Sequence, residues 1–274
     1  MALVEGSPSV ILKSVAKLIQ QKVPTKTAPL LEQFSSLLYG NISSLDLEHR
    51  NESDMYGATL SLWNSLNGHQ DDSPVIKVFN PQVSKHGWKS SHTIIEIIVK
   101  DMPFLVDSVR IALNRLGLSP HLLLNAPINI VRNNKNEITH LSASSEKSIK
   151  TTSVETVFFI EIDRQTEQLA LDFVAKDLNS VMDDILLTVS DWAPMLAKLK
   201  SVIGDVQKAE LPCSQEEKTN TLDFLEWLSQ NHFTIMGYRS YDVKVLEGDV
   251  ALEANVQSSL GLMKRSTGTK QRLI

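Results

Sequence analysis

Cysteine is nearly missing from this sequence. Cys213 is the single one in 274 residues, which excludes an internal disulfide framework and fits a reducing compartment. No run approaches the length of apolar residues a bilayer requires, so no membrane span is expected. Residues 1–26 lack the apolar block of a secretory signal, and the cytoplasm is the expected location. A basic surplus is absent as well: Lys and Arg number 27 against 32 Asp and Glu, a formal charge of -5. That is not the footprint of a nucleic-acid binder, and Lys264-Arg265 is too small a cluster to change it. Chemistry-bearing motifs are missing too. No G-x-G-x-x-G follows a strand, and neither a phosphate-binding loop, an H-E-x-x-H nor a paired-cysteine spacing occurs. The seven histidines are scattered, and His232, beside an aromatic strand, reads as packed. Cys213 lies in a polar stretch without a local base to activate it. "HQDDS" (69–73) reads as a solvated loop, since two adjacent acids do not supply the converging oxygens of a cation site. The residues therefore point to no catalytic group, no bound cofactor and no metal.

What is present supports real cores: 42% of the residues are hydrophobic, enough for one large or two ordinary domains. Residues 1–72 read as helical. Ser7-Pro8 starts a first helix with Ile11, Val15, Leu18 and Ile19 on one side, and Pro24 closes it. A second helix is predicted over 27–39, ended by Gly40-Asn41, and a third over 52–66 with Met55, Leu62, Trp63 and Leu66. Residues 73–206 alternate strand and helix. "VIKVFN" is a short strand, and "SHTIIEIIVK" is a longer one with Thr93, Ile95, Ile97 and Val99 on one face. Its other face carries Ile94, Glu96 and Ile98. Isoleucines there imply cover by another sheet or another subunit, which makes Ile94, Glu96 and Ile98 candidate interface residues.

At "DMPFLVDSV" the period changes to helical. Asp101 is the expected cap and Pro103 lies in the first turn. Leu105, Val109, Ala112, Leu113 and Leu116 form the apolar stripe, and Gly117 ends it. "PHLLLNAPINIVRN" follows as a strand kinked or bulged at Pro127. "EITHLS" and "VETVFFIEID" are further strands. A long helix with Leu171, Val174, Leu178, Val181 and Ile185 is then divided or kinked by Pro194. Residues 207–218 read as a linker. Residues 219–274 form a helix capped by Asn220 and a hairpin turning at Glu247-Gly248. Strand–helix–strand–strand–helix indicates an α+β fold of the split βαβ, ferredoxin-like kind.

The "DMPFLVDSV" turn resembles the "DRPGLL" turn of ACT domains, regulatory modules that bind amino acids. The longer run is closer to one group. "VFNPQVSKHGWKSSHTIIEIIVKDMPFLVDSVRIALNRLGL", "FFIEIDR", "DWAPM" and "WLSQNHFTIMGYRSYDV" are similar to the amino-terminal region of the large NAD-specific glutamate dehydrogenases of bacteria, over about residues 55–263. The resemblance implies an ACT-like domain over 73–206 behind an N-terminal helical segment, with 219–274 opening a second ACT-like unit. It implies a regulatory and assembly region that does not itself catalyse. NAD and the deamination of glutamate would belong to downstream domains of the same chain, in a homo-oligomer. Its alternative is an amino-acid effector site at Asp101, Met102, Pro103, Phe104 and Asp107. Two residues depart from that pattern. Phe104 stands where ligand-binding turns carry glycine, and Asp101 sets a negative charge where an effector carboxylate would approach. No fourth strand follows the second helix either, and "VIKVFN" is the local candidate to replace it.

Overall fold

The structure, a computed structural model, describes residues 10–40, 42, 47, 50–69, 73–146, 153–246, 249–266 and 271–273. The Ser7-Pro8 cap, Gln70–Asp72 and the Glu247-Gly248 turn lie outside them. The chain divides into two units, Met1–Val181 and Met182–Ile274. None of the described helices is long and apolar enough to cross a membrane.

In the first unit, helices α1 (Val10–Lys22), α2 (Ala28–Tyr39) and α3 (Glu52–Gly68) precede the sheet. Asn51 caps α3 by accepting from the backbone N–H groups of Ser53 and Asp54 at 2.9 and 3.1 Å, satisfying two donors the helix leaves open. Next come β1 (Val75–Phe79), the single turn α4 (Val83–His86), β2 (Thr93–Lys100), α5 (Leu105–Arg115), β3 (Pro120–Arg132), β4 (Ile138–Ala143) and β5 (Ser153–Ile162). The helix α6 (Gln168–Ser190) contains the division between units.

The five strands lie in the order β1-β2-β5-β3-β4, every pair antiparallel. The crossover β2–α5–β3 thus brackets β5, which is the split βαβ arrangement. β1 pairs with β2 from Val75↔Ile98 to Phe79↔Ile94, so the strand before the core stands in for the missing final strand. Pro127 causes no register shift; the shifts fall at Pro120/Leu122 and Val131/Arg132. The Pro127 carbonyl accepts from Ser144 N–H. Its nitrogen therefore faces the same side, just beyond the end of β4, where no ladder donor is required.

Both faces of this sheet are covered by the chain itself. Ile94 and Ile98 share one core with Val15, Ile19, Leu31, Phe34, Leu62, Leu66, Val157 and Phe159. This corrects the expectation for Ile94, Glu96 and Ile98: all three are 0% exposed, and α1–α3 supply the cover that the isoleucines demanded. Those three residues are therefore core positions, and the helices α1–α3 pack on the sheet within the same unit. On the other face Ile95, Ile97, Phe158 and Ile160 are buried along with Val109, Leu113, Leu171, Val174 and Leu178 of α5 and α6. Arg115 joins those two helices through Asp177, bonding both carboxylate oxygens at 2.8 Å.

α3 approaches the loop before β2 closely enough to need a glycine. A Cβ on Gly57 would lie 2.4 Å from the Cβ of Trp88, which is itself buried. Gly57→Ala gains about 1 kcal/mol of helix propensity, yet the clash with a rigid part of Trp88 is expected to outweigh it. A net loss of about 1–2 kcal/mol should appear as a lower urea midpoint; an unchanged midpoint would mean that α3 sits farther from Trp88.

In the second unit, α7 (Trp192–Lys208) and α8 (Gln215–Trp227) precede β6 (Gly237–Leu246), β7 (Asp249–Gly261) and β8 (Gln271–Leu273), an antiparallel sheet in that order. The long helix is indeed divided, with Pro194 in the first turn of α7. Within the expected linker 207–218, residues 209–214 are the non-helical connection between α7 and α8, and the cap of α8 is Ser214, not Asn220. Ser214 and Glu217 form a reciprocal capping box. The carboxylate of Asp191 accepts from Gly261 N–H at 2.7 Å and pairs with Lys264 at 2.6 Å; the Lys264 hydrogen bond foremost holds its pKa down.

Candidate functional site

Each sheet face of the first unit carries a cleft. The first lies at the turn singled out by the sequence. Asp101 does not cap α5: its N–H extends the ladder to Val154, and its carboxylate accepts from Thr156 Oγ1 of β5. The helix begins later than expected, at Leu105, leaving Pro103 outside it. The N-cap is Phe104, which makes no side-chain capping bond and holds φ at +73°. That left-handed backbone is what glycine favours, so the glycine-type turn persists with a phenylalanine in place. Phe104 is 45% exposed and borders the cleft rather than filling a core. The cleft has about 170 Å³ and is also lined by Asp101, Met102 and Asp107. Asp107, in the first turn of α5, complements the helix dipole. Two carboxylates and no cationic side chain among the described lining residues make this a poor seat for a ligand carboxylate.

The larger cleft, about 440 Å³, opens on the α1–α3 side, within the size range of small-molecule sites. Its floor is Phe159 and Glu161 of β5, its walls Met55 and Trp88. Arg50 grips Glu161 with two parallel hydrogen bonds of 2.7 and 2.9 Å, the fork geometry of a strong pair. His92 Nδ1 stands 3.8 Å from the same carboxylate. Its ring packs on that of His121 at 4.5 Å, and His121 in turn meets Asp163 at 2.6 Å. Asp54 accepts the backbone N–H of Lys89 at 2.9 Å. Tyr39 lines the cleft, its pKa pushed up to about 12 chiefly by burial. Sequence reasoning missed this site. Arg50 and Glu161 are 111 residues apart, and no spacing rule joins them; only the cap signal at Asn51 was readable.

Two further buried acids share that sheet face. Glu155 accepts from His69 Nδ1 at 3.0 Å and from Arg132 at 3.2 Å, while His69 Nε2 meets the Ser73 carbonyl at 2.8 Å. His69 thus departs from the solvated loop expected for it. Glu96 is the second. Burial pushes its pKa up, against the opposing pull of Ser61, Lys77 and Ser65. Ser65 Oγ donates to Glu96 Oε2 at 3.1 Å and accepts from Lys77 Nζ at 2.8 Å. Because the folded pKa lies above 4.5, the folded chain keeps a proton that the unfolded chain has lost. Stability therefore falls as pH rises from 4.5 through the folded pKa. Glu96→Gln keeps an oxygen acceptor for Ser65 Oγ and cannot ionise. Its urea midpoint should gain on the parent's as pH rises through that window, and parallel midpoints at every pH would sink the assignment.

Among the described residues no group of three or more His, Cys, Asp or Glu side chains is placed to hold a metal. Residues 34–178 match the family described as glutamate dehydrogenase, ACT1 domain. The NAD-specific glutamate dehydrogenase of Pseudomonas aeruginosa is 35% identical over 246 residues, covering 90% of this chain and 15% of that protein. The enzyme of the same name from Halomonas elongata is 32% identical over 256 residues, 93% of this chain and 16% of the relative. That from Mycobacterium tuberculosis is 23% identical over 180 residues, 65% of this chain and 11% of the relative. The chain thus spans about a sixth of the length of these relatives or less.

Proposed function

The chain belongs to the glutamate dehydrogenases through their ACT1 domain, and on that footing we propose that it is the regulatory and assembly region of such an enzyme rather than its catalytic part. The parent reaction is the NAD-dependent oxidative deamination of L-glutamate to 2-oxoglutarate and ammonia, carried by downstream domains in a homo-oligomer. The observation that supports this division is the sheet itself. It is antiparallel throughout, whereas a dinucleotide crevice opens at the switch point of parallel strands. Assembly through the β2 face is closed off by α1–α3. Among the exposed apolar side chains of this unit, Ile111 of α5 is 65% and Phe173 of α6 60% exposed, and contact with another copy is assigned there. The second reading, an effector at Asp101–Asp107, draws on the glycine-type turn that Phe104 preserves.

Two measurements test the proposal. Glutamate-dependent NAD reduction by this chain alone should be zero, and turnover would overturn the reading. Sedimentation should show association that Ile111→Glu weakens. A monomer at every concentration, unaltered in melting by any amino acid, would leave neither assembly nor sensing.

A further inference from the structure

We infer that β6 is an edge at which two copies of this chain pair, antiparallel and centred on Val243. The inference rests on the assembly reading for its purpose. It adds a contact in the second unit, apart from the α5 and α6 residues assigned above, and is measured with that other contact removed.

β6 ends the sheet β6-β7-β8. Among the described residues no strand lies along its outer side, and a row of unpaired backbone N–H and C=O groups is a template for another chain. Ser240–Leu246 keep unbroken register with β7, so this edge is regular over an ordinary strand length. Its side chains decide what fits. On one face Val243 is 65% and Val245 74% exposed, with Tyr241 beside them at the same period of two. On the other face Asp242 stands directly opposite Glu253 of β7, a position where like charges oppose each other. Lys244, the next residue on that face, lies 4.0 Å from Glu253. A two-fold axis through Val243 places Lys244 of each copy opposite Asp242 of the other, so the charge match occurs twice. The same register sets Tyr241 against Val245 on the apolar face, and Val243 against its own counterpart. Neighbouring registers do worse. Centring on Asp242 or on Lys244 opposes like charges, and centring between residues meets outward backbone groups with inward ones. A strand that matches its own reverse in both charge and apolar pattern selects a second copy.

Sedimentation equilibrium tests this on the Ile111→Glu chain, in which the α5 contact does not contribute. That chain should still self-associate as its concentration rises. Asp242→Lys and Lys244→Asp, each added alone, turn both charge pairs repulsive and should weaken association about tenfold. Both side chains are exposed on the strand, so the fold tolerates either change. An equimolar mixture of the two variants restores opposite charge at both pairs. It should associate as the Ile111→Glu chain does, a recovery that a folding defect would not produce. An Ile111→Glu chain that stays monomeric at every concentration overturns the inference and leaves the edge to a different segment or protein. The α5–α6 assignment is judged separately, by the parent's own association. Undiminished association of either single variant also overturns the inference, as does a mixture that associates no better than its components.

Discussion

Ile98→Glu is expected to abolish the cooperative unfolding transition of the five-stranded sheet and its helical cover. Ile98 is 0% exposed, opposite Val75 on β1 and Val157 on β5, in the core that α1–α3 close. An isolated carboxylate in such a place either takes up a proton or drives the segment into water, at a cost far above that of an ordinary substitution. A loss beyond about 4–5 kcal/mol approaches the whole stability of a domain, about 5–15 kcal/mol. Glu96, two residues earlier on the same face, shows what tolerance requires: it has Ser65 at 3.1 Å and the influence of Lys77. Ile98 lies in the apolar cluster, with Val75 and Val157 as its strand partners. Ile111→Glu, on the exposed side of α5, should by contrast change stability by no more than about 0.5 kcal/mol. Urea titration followed by circular dichroism separates the two. If Ile98→Glu unfolds cooperatively near the parent's midpoint, the helices do not seat on that face and it is open to a partner after all.

The same strand shows where sequence reasoning reached its limit. Period two across "TIIEIIVK" identified both faces as buried, because isoleucine on the even positions has no place in water. It did not identify the cover, since periodicity describes a surface and not what lies on it. β1 was legible as the replacement strand because a short alternating run next to a sheet that lacks an edge has few other uses. The split after Ser190 was legible from Pro194 for the local reason that proline suits a first turn and no later one. The cap at Asp101 failed because a competing acceptor role, for Thr156 on a strand 55 residues away, outweighed the local one. His69, read as loop, failed in the same way, and Arg50 was not singled out. Each sits beside residues that look like loop, and each is claimed by a glutamate on β5, at distances of 86 and 111 residues along the chain. Long-range ion pairs leave no periodic trace, and both clusters on the α1–α3 face consist of them.

Arg132→Leu probes one of those pairs, with an expected loss of about 3–5 kcal/mol. The side chains of Arg132 and Glu155 are 7% and 6% exposed, so the penalty comes from the charge left behind more than from the bond removed. Arg132 also donates to the Leu66 carbonyl at 2.9 Å, in the last turn of α3, and to the Asn136 carbonyl at 3.3 Å. One guanidinium thus fastens α3 to the β3–β4 hairpin. Glu155 retains His69 at 3.0 Å and Ser153 at 2.9 Å, but neither is a permanent cation. Adding Glu155→Gln to Arg132→Leu removes the stranded charge while keeping an acceptor for His69 and Ser153. The double variant should therefore recover most of the lost stability, a strongly non-additive result for residues in contact. Chemical denaturation of the parent, both single variants and the double variant measures that coupling directly. If the double variant is no more stable than Arg132→Leu alone, the stranded charge is not the cause. The loss would then belong to the Leu66 and Asn136 carbonyls and to the packing of the arginine stem.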